Sequence, residues 1–220
     1  MSEPTASATG LSDGSPIDWY FDFISPFAYL QWQRLRREVP SLRISPHPVL
    51  FAGLLKHWNN TGPVEIPPKR GWTYAHCLWM AHRHQIPMRL PPRHPFNPLP
   101  LLRLSIALGN TTEVVDRLFR FVWQDGQLPD DTDAWVALLA ELNVHHETLA
   151  SDTVKKQLIK NGDAAIAAGV FGVPTAVVRS QCFWGVDATD MLIAWLREDA
   201  FFSSAEWHRA YTLPEGQGRR

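Results

Sequence analysis

Apolar residues crowd together at the start of the ordered chain and then regroup. The run IDWYFDF (Ile17 to Phe23) is β-prone, Ser25-Pro26 interrupts it, and Phe27, Leu30 and Leu35 then recur at helical spacing. A second β-prone run, LRISPHPV (Leu42 to Val49), completes a β-α-β unit of the size a crossover needs. Far downstream, TAVVR (Thr175 to Arg179) and CFWG (Cys182 to Gly185) are spaced as a hairpin around Ser180-Gln181, although those are not favoured turn residues. A helix is expected from Asp187 to about Arg197, with Met191, Leu192, Trp195 and Leu196 on one side. The sheet is therefore assembled from both ends of the chain.

Between those ends the pattern is helical. Val114, Val115, Leu118, Phe119, Val122 and Trp123 make one sharp stripe; Trp72, Ala75, Trp79 and Met80 make another, and Ala134, Trp135, Leu138, Leu139 and Leu142 a third. Pro, Gly and Asp cluster in QIPMRLPPRHPFNPLP and QDGQLPDDTD, where helices should stop. The organisation expected is an all-helical insertion over residues 51–169, set inside an α/β domain formed by 17–50 and 170–200. Residues 1–16 form a tail and 201–220 a C-terminal extension.

Composition narrows the chemistry. The chain has 220 residues, 45% hydrophobic and 20% charged, with 21 Lys plus Arg against 22 Asp plus Glu. A net charge of -1 gives no basic surplus to attract nucleic acid or an anionic membrane, so small-molecule chemistry is expected. Cys77 and Cys182 stand far apart and in no CxxC or CxxH spacing, which argues against a disulfide framework or a zinc site and suits a reducing compartment. The tail MSEPTASATGLSDGSP lacks the basic and apolar regions of a signal peptide, and no apolar run of membrane-spanning length follows. A disordered tail and a cytoplasmic protein are the expectations.

The individual motifs each have a plain structural reading. Ser25 with Pro26 makes a good N-cap and first-turn pair. The helix start also offers unpaired N–H groups and about half a positive charge to an anion. Ser25 is thus either a cap alone or a partner for a thiolate that arrives from elsewhere. FGVPT (Phe171 to Thr175) places Pro174 at a strand boundary; WGVDATD puts Asp187 and Asp190 where they can cap a helix; and NNTGPVEIPPKRG (Asn59 to Gly71) reads as a polar, proline-rich loop. His82 and His84 lie on different sides of a helix, so with His76 they are not expected to bind metal. The ten tryptophans suggest packing, with Trp72 and Trp79 near enough to the expected cleft to line an aromatic site. Cys77 and Cys182 read as inert core thiols.

Taken in order, FDFISPFAYL, PVLFAGLLKHWNN, PPKRG, HRHQIPMRLPPRHPFNPLP, FGVPT and FWGVD, spanning Ile17 to Trp195, resemble the 2-hydroxychromene-2-carboxylate isomerases and the related kappa-class glutathione transferases. The resemblance implies a thioredoxin-like α/β domain of the DsbA/kappa type with a large all-helical insertion, in which serine replaces the CxxC cysteine and bound glutathione brings the thiol. It assigns Ser25 to the glutathione sulfur and makes Pro174 cis, with the Val173 backbone pairing the cysteinyl unit. Val186 and Asp187 would meet the γ-glutamyl end, with Asn60 and Lys69 as further contacts and Asn59 the near-equal alternative to Asn60. A glutathione-dependent cis-trans isomerase acting on a small aromatic substrate is implied, as a homodimer, with glutathione transferase activity as the runner-up. A DsbA-like disulfide oxidoreductase is disfavoured by the missing CxxC. Phe27, Lys56 and Trp72 are candidate substrate contacts, and Lys56, Lys69 and Arg70 are the cations nearest by chain position for a substrate carboxylate. Three features depart from the family pattern: Ala188 replaces an arginine, Trp72 and His76 replace a Tyr and Asp pair, and Phe27 replaces a frequent tyrosine.

Overall fold

The structure, a computed structural model, describes residues 16–216. The expected disordered tail falls outside the described residues except for Pro16. Strands β1 (Ile17–Phe21), β2 (Ile44–Pro48), β3 (Thr175–Val178) and β4 (Gln181–Trp184) form one sheet in the order β2-β1-β3-β4. β1 runs parallel to β2 and antiparallel to β3, and β3 pairs antiparallel with β4. Helix α1 (Pro26–Glu38) links the two parallel strands. After them come α2 (Phe51–His57), α3 (Pro67–Arg83), α4 (Leu99–Ala107), α5 (Thr112–Trp123), α6 (Thr132–Glu141) and α7 (Asp152–Ala167). Helices α8 (Thr189–Leu196) and α9 (Ala205–Ala210) follow the hairpin. The fold is thioredoxin-like, with an extensive helical insertion between β2 and β3.

β1 reads as a nearly unbroken apolar run because both of its faces are covered. Trp19 and Phe21 face the larger core with Phe23, Tyr29, Trp32 and Phe119, all without solvent exposure. Tyr20 points the other way, into a smaller cluster with Val49, Leu54, Ala165, Val170 and Val173. The rings of Trp19 and Phe21 stack at 4.7 Å, and Phe119 of α5 lies 4.8 Å from Phe23 and 5.5 Å from Phe21. β2 is an edge strand, which explains how it tolerates Pro46 and Pro48, residues with no N–H for a further neighbour.

Several local expectations change. β1 ends at Phe21, not Phe23, because Asp22 turns the backbone with its own carboxylate. The hairpin turn is Arg179-Ser180, both at positive φ (48° and 69°), as the two-residue turn that fits strand twist requires. Of the stripe Trp72, Ala75, Trp79 and Met80, only Met80 is buried; the other three face outward, and α3 buries Thr73, Cys77 and Ala81 beside Met80. Periodicity marked the helix correctly but set the buried face too far round, since Trp residues dominated the apolar count. Lys69 does not lie in a loop. Pro67 and Pro68 fill the first two positions of α3, where a missing N–H is harmless, so Lys69 sits in its first turn.

Phe119 couples the insertion to the sheet, so Phe119→Ala should destabilise the protein by about 3–5 kcal/mol in equilibrium urea unfolding. A loss well under about 1 kcal/mol would show that the α5 contact with β1 is not structural.

Candidate functional site

The turn between β1 and α1 is built from the chain's only fully buried acid among the described residues. Asp22 accepts the Ile24 N–H at 3.0 Å on one carboxylate oxygen and the Phe51 N–H at 2.9 Å on the other, while its carbonyl takes the Ser25 N–H at 3.1 Å. One side chain thus ties the turn to the start of α2. Ser25 follows in extended geometry (φ -89°, ψ 113°) and its Oγ accepts the Ala28 N–H at 3.2 Å, the bond of an N-cap. Pro26 has no N–H, and that of Phe27 takes no partner among the described residues. The first turn of α1 carries no acidic side chain and the last carries Arg36 and Arg37, so the positive end of the helix is left open to an anion.

The Val173–Pro174 peptide is cis, as the resemblance implied. Strand pairing of Tyr20 with Thr175 brings this peptide to the end of β1 from which the Ser25 turn departs. Val173 is buried, and neither its N–H nor its C=O has a hydrogen-bond partner among the described residues. The Pro174 carbonyl accepts the Gly185 N–H at 2.8 Å. Gln31 of α1 completes the connection: its Nε2 donates to the Gly185 carbonyl at 2.8 Å while its Oε1 accepts Trp19 Nε1–H at 2.7 Å. Ser25, Val173, Pro174, Val186 and Asp187 therefore belong to one linked group of segments.

Gly185 has φ 90°, and a Cβ there would collide with the Asp187 carboxylate, which folds back over it. Asp187 does not cap the following helix. α8 begins at Thr189 behind Ala188, with no side-chain cap, and Asp190 pairs with the buried Arg34 of α1. A single-turn 3-10 segment, Val186–Ala188, occupies the place where a longer helix was expected.

The α2–α3 side contributes less uniformly. Asn59 stands at φ 49° and closes α2: its N–H and that of Asn60 return to the Lys56 and Leu55 carbonyls, a Schellman end. Asn59 thus has a backbone reason to be Asn; Asn60 uses its Oδ1 to accept the Thr61 N–H at 2.8 Å. Lys56 and Lys69 are exposed and take no ion pair among the described residues. Arg70 differs. Its guanidinium donates to the His94 carbonyl and lies 5.4 Å over the Tyr74 ring, so it is anchored away from a carboxylate role. Trp72, His76 and Trp79 form an outward ladder with ring spacings of 4.6 and 6.1 Å, and His76 meets Phe27 at 6.4 Å. Trp72 is 64% exposed, and the Nδ1 of His76 is buried without a partner.

The sequence reading missed Asp22, Gln31 and His94. Asp22 had a signal: an acid inside an apolar strand run must find donors or protonate. Burial wins here, raising its pKa to about 7 against the two N–H bonds that pull it down. His94, whose Nε2 lies 2.7 Å from the Ile24 carbonyl, was hidden in a proline-rich segment that read only as a helix stop.

This geometry, a thioredoxin sheet with a hydroxyl at the helix start and a cis proline beside it, defines a class. The model of the DSBA-like thioredoxin domain matches residues 16–197, and the chain belongs to that family. Within the wider group it is 28% identical over 186 residues to a 2-hydroxychromene-2-carboxylate isomerase of Pseudomonas sp. (strain C18), covering 80% of this chain and 87% of that one. It is 29% identical over 176 residues to glutathione S-transferase kappa 2 of Caenorhabditis elegans, covering 72% and 78%. A solved 2-hydroxychromene-2-carboxylate isomerase superposes with TM-score 0.71 at 25% identity, over 86% of this chain and all of that one.

The raised pKa of Asp22 has a sign. The folded protein holds this proton more tightly than the unfolded chain, whose value is the ordinary 3.8. Its contribution is fully present below about pH 4 and is lost as pH rises through about 7. Asp22→Asn should flatten that fall: the stability difference between variant and wild type, from urea titrations at pH 4.5 and 7.5, should shift in favour of the variant by roughly 2–4 kcal/mol. A pH-independent difference would mean that the carboxyl does not titrate in this range.

Proposed function

We propose that the protein is a glutathione-dependent cis-trans isomerase acting on 2-hydroxychromene-2-carboxylate or a close aromatic 2-oxo acid equivalent. The observation that carries this reading is the hydroxyl of Ser25 at an anion-ready helix start. The protein's own thiols are poor alternatives: Cys77 is buried and pushed up to about 12, and the pKa of the half-buried Cys182 is also raised by burial. The residues present suit glutathione. The unpartnered Val173 N–H and C=O can take an extended peptide as an added strand, and the Phe27 N–H and Ser25 O–H are both available to an anion. Asp187, Asn60 and Lys69 would hold the tripeptide's polar ends.

Bound glutathione supplies a thiolate whose reversible addition to a conjugated carbon lets a double bond become single, rotate and re-form. The chain's part is to keep the sulfur ionised. A free thiol has a pKa of about 8.5, and lowering it by about two pH units at this helix start corresponds to roughly 2.7 kcal/mol. Ser25 does this by accepting Ala28 N–H with a lone pair while its proton remains free to donate. Phe27, Trp72 and Trp79 would offer apolar faces to a flat ring, and Lys56 or Lys69 the cation for its carboxylate.

A kappa-type glutathione transferase is the second reading, favoured by the comparable identity to a kappa-class relative. Product analysis separates them, because only the isomerase leaves glutathione undiminished.

Ser25→Ala removes cap and thiolate donor together, whereas Ser25→Asp keeps a capping oxygen and sets a negative charge against the sulfur. The alanine variant should lose about 0.5–2 kcal/mol of stability. Both should raise the pKa of bound glutathione, read from thiolate ultraviolet absorbance, by an amount equivalent to about 1.5–3 kcal/mol, and slow turnover at pH 7. Wild-type turnover in glutathione-free buffer, or unchanged thiol pKa in both variants, would refute the mechanism.

A further inference from the structure

One histidine of the helical insertion reaches the peptide next to Ser25. His94, in the segment between α3 and α4, places Nε2 2.7 Å from the Ile24 carbonyl, and Nδ1 2.9 Å from the Tyr74 hydroxyl. The carbonyl can only accept, so Nε2 carries a proton; in the neutral ring Nδ1 then accepts from the Tyr74 hydroxyl, which also lies 3.3 Å from the His94 carbonyl. The neutral tautomer is therefore fixed by its partners. The ring also packs on Trp123 at 5.6 Å and on Phe96 at 5.9 Å, while Arg70 binds the His94 carbonyl from α3. One residue earlier, Trp123 Nε1–H donates to the Phe23 carbonyl at 2.9 Å.

From these contacts we infer that His94 is a positioning residue for the Ser25 turn, orienting it through the Ile24 carbonyl. Ile24 is gripped on both sides: Asp22 takes its N–H and His94 its C=O. With both peptide planes fixed, the direction in which Ser25 and the unpaired Phe27 N–H leave the turn is set before any ligand arrives, and no reorganisation is needed when an anion develops there. Loss of the Nε2–H bond would leave the Ile24–Ser25 peptide held only by its Ser25 N–H bond to the Asp22 carbonyl. The groups facing the imidazole are Tyr74 and Arg70 of α3, with Asp22 on the far side of Ile24. Burial, with Arg70, holds the imidazole's pKa below its ordinary value against the Ile24 hydrogen bond that raises it, which favours the neutral ring.

The consequence for sulfur rests on the glutathione reading above, and the test separates the two. His94→Phe keeps a ring against Trp123 and Phe96 but removes the donor; His94→Gln restores an amide N–H at a similar reach; Tyr74→Phe removes only the hydroxyl that fixes the tautomer. The phenylalanine variant should raise the thiol pKa of bound glutathione by about one pH unit and lower kcat at pH 7 roughly five- to tenfold, with affinity for S-methylglutathione within about twofold of wild type. The glutamine variant should recover most of this, and Tyr74→Phe should show a smaller change of the same sign. Amide hydrogen exchange in a peptide spanning residues 22–28 should quicken about tenfold in His94→Phe while that of α6 is unchanged. If wild type itself binds no glutathione, the functional reading fails and exchange alone decides the role of His94. Wild-type thiol pKa and kcat in folded His94→Phe, or exchange that rises equally across the protein, would overturn the inference.

Discussion

Everything in this molecule hangs on the contact between the aromatic face of β1 and Phe119. The sheet is small, and by itself a four-stranded sheet with one covering helix has little apolar area to bury. Trp19, Phe21 and Phe23 need a partner wall, and α5, more than sixty residues further along the chain than β2, supplies it with one fully buried ring. The insertion is therefore no appendage. Its second contribution follows from the first: once α5 lies against β1, Trp123 at its end can reach the Phe23 carbonyl, and the proline-rich segment beyond α3 can reach Ile24.

That arrangement puts two opposed electrostatic influences at the same turn. α1 directs its positive end at Ser25, and no side chain in its first turn cancels it. Asp22 lies under the turn with no solvent to screen it, and a full negative charge there would oppose any anion at Ser25. Its pKa of about 7 places the balance between these influences within the ordinary working range of an enzyme.

Much of this was legible beforehand, and the reasons differ by element. The split sheet could be read because β1 is a nearly unbroken apolar run, while Phe27, Leu30 and Leu35 recur at helical spacing after the Ser25-Pro26 break. Ser25 was legible as a cap because an N-cap constrains residue type, and the hairpin was legible from the spacing of its two β-prone runs, with its turn one residue earlier than that spacing suggested. What escaped was of two kinds. The direction of α3 depended on which side had a neighbour, and Trp72 and Trp79 gave no hint that theirs faced outward. Gln31 and His94 act through partners 154 and 70 positions away, and no local pattern can announce a bond of that span; Asp22 announced only that it needed donors, not that one of them lies 29 positions on.

The sulfur inventory has a consequence for durability. Cys77 is enclosed and its thiol held far from ionisation, while Cys182 offers its Sγ–H to the Ala168 carbonyl at 3.4 Å. Oxidants and alkylating agents attack thiolates, and the polypeptide presents none. If the reactive sulfur arrives on a small diffusible peptide, then chemical injury to it is injury to an exchangeable part. A spoiled nucleophile dissociates and a fresh one takes its place, whereas an enzyme with a cysteine at this turn would carry the same lesion until it was repaired or degraded.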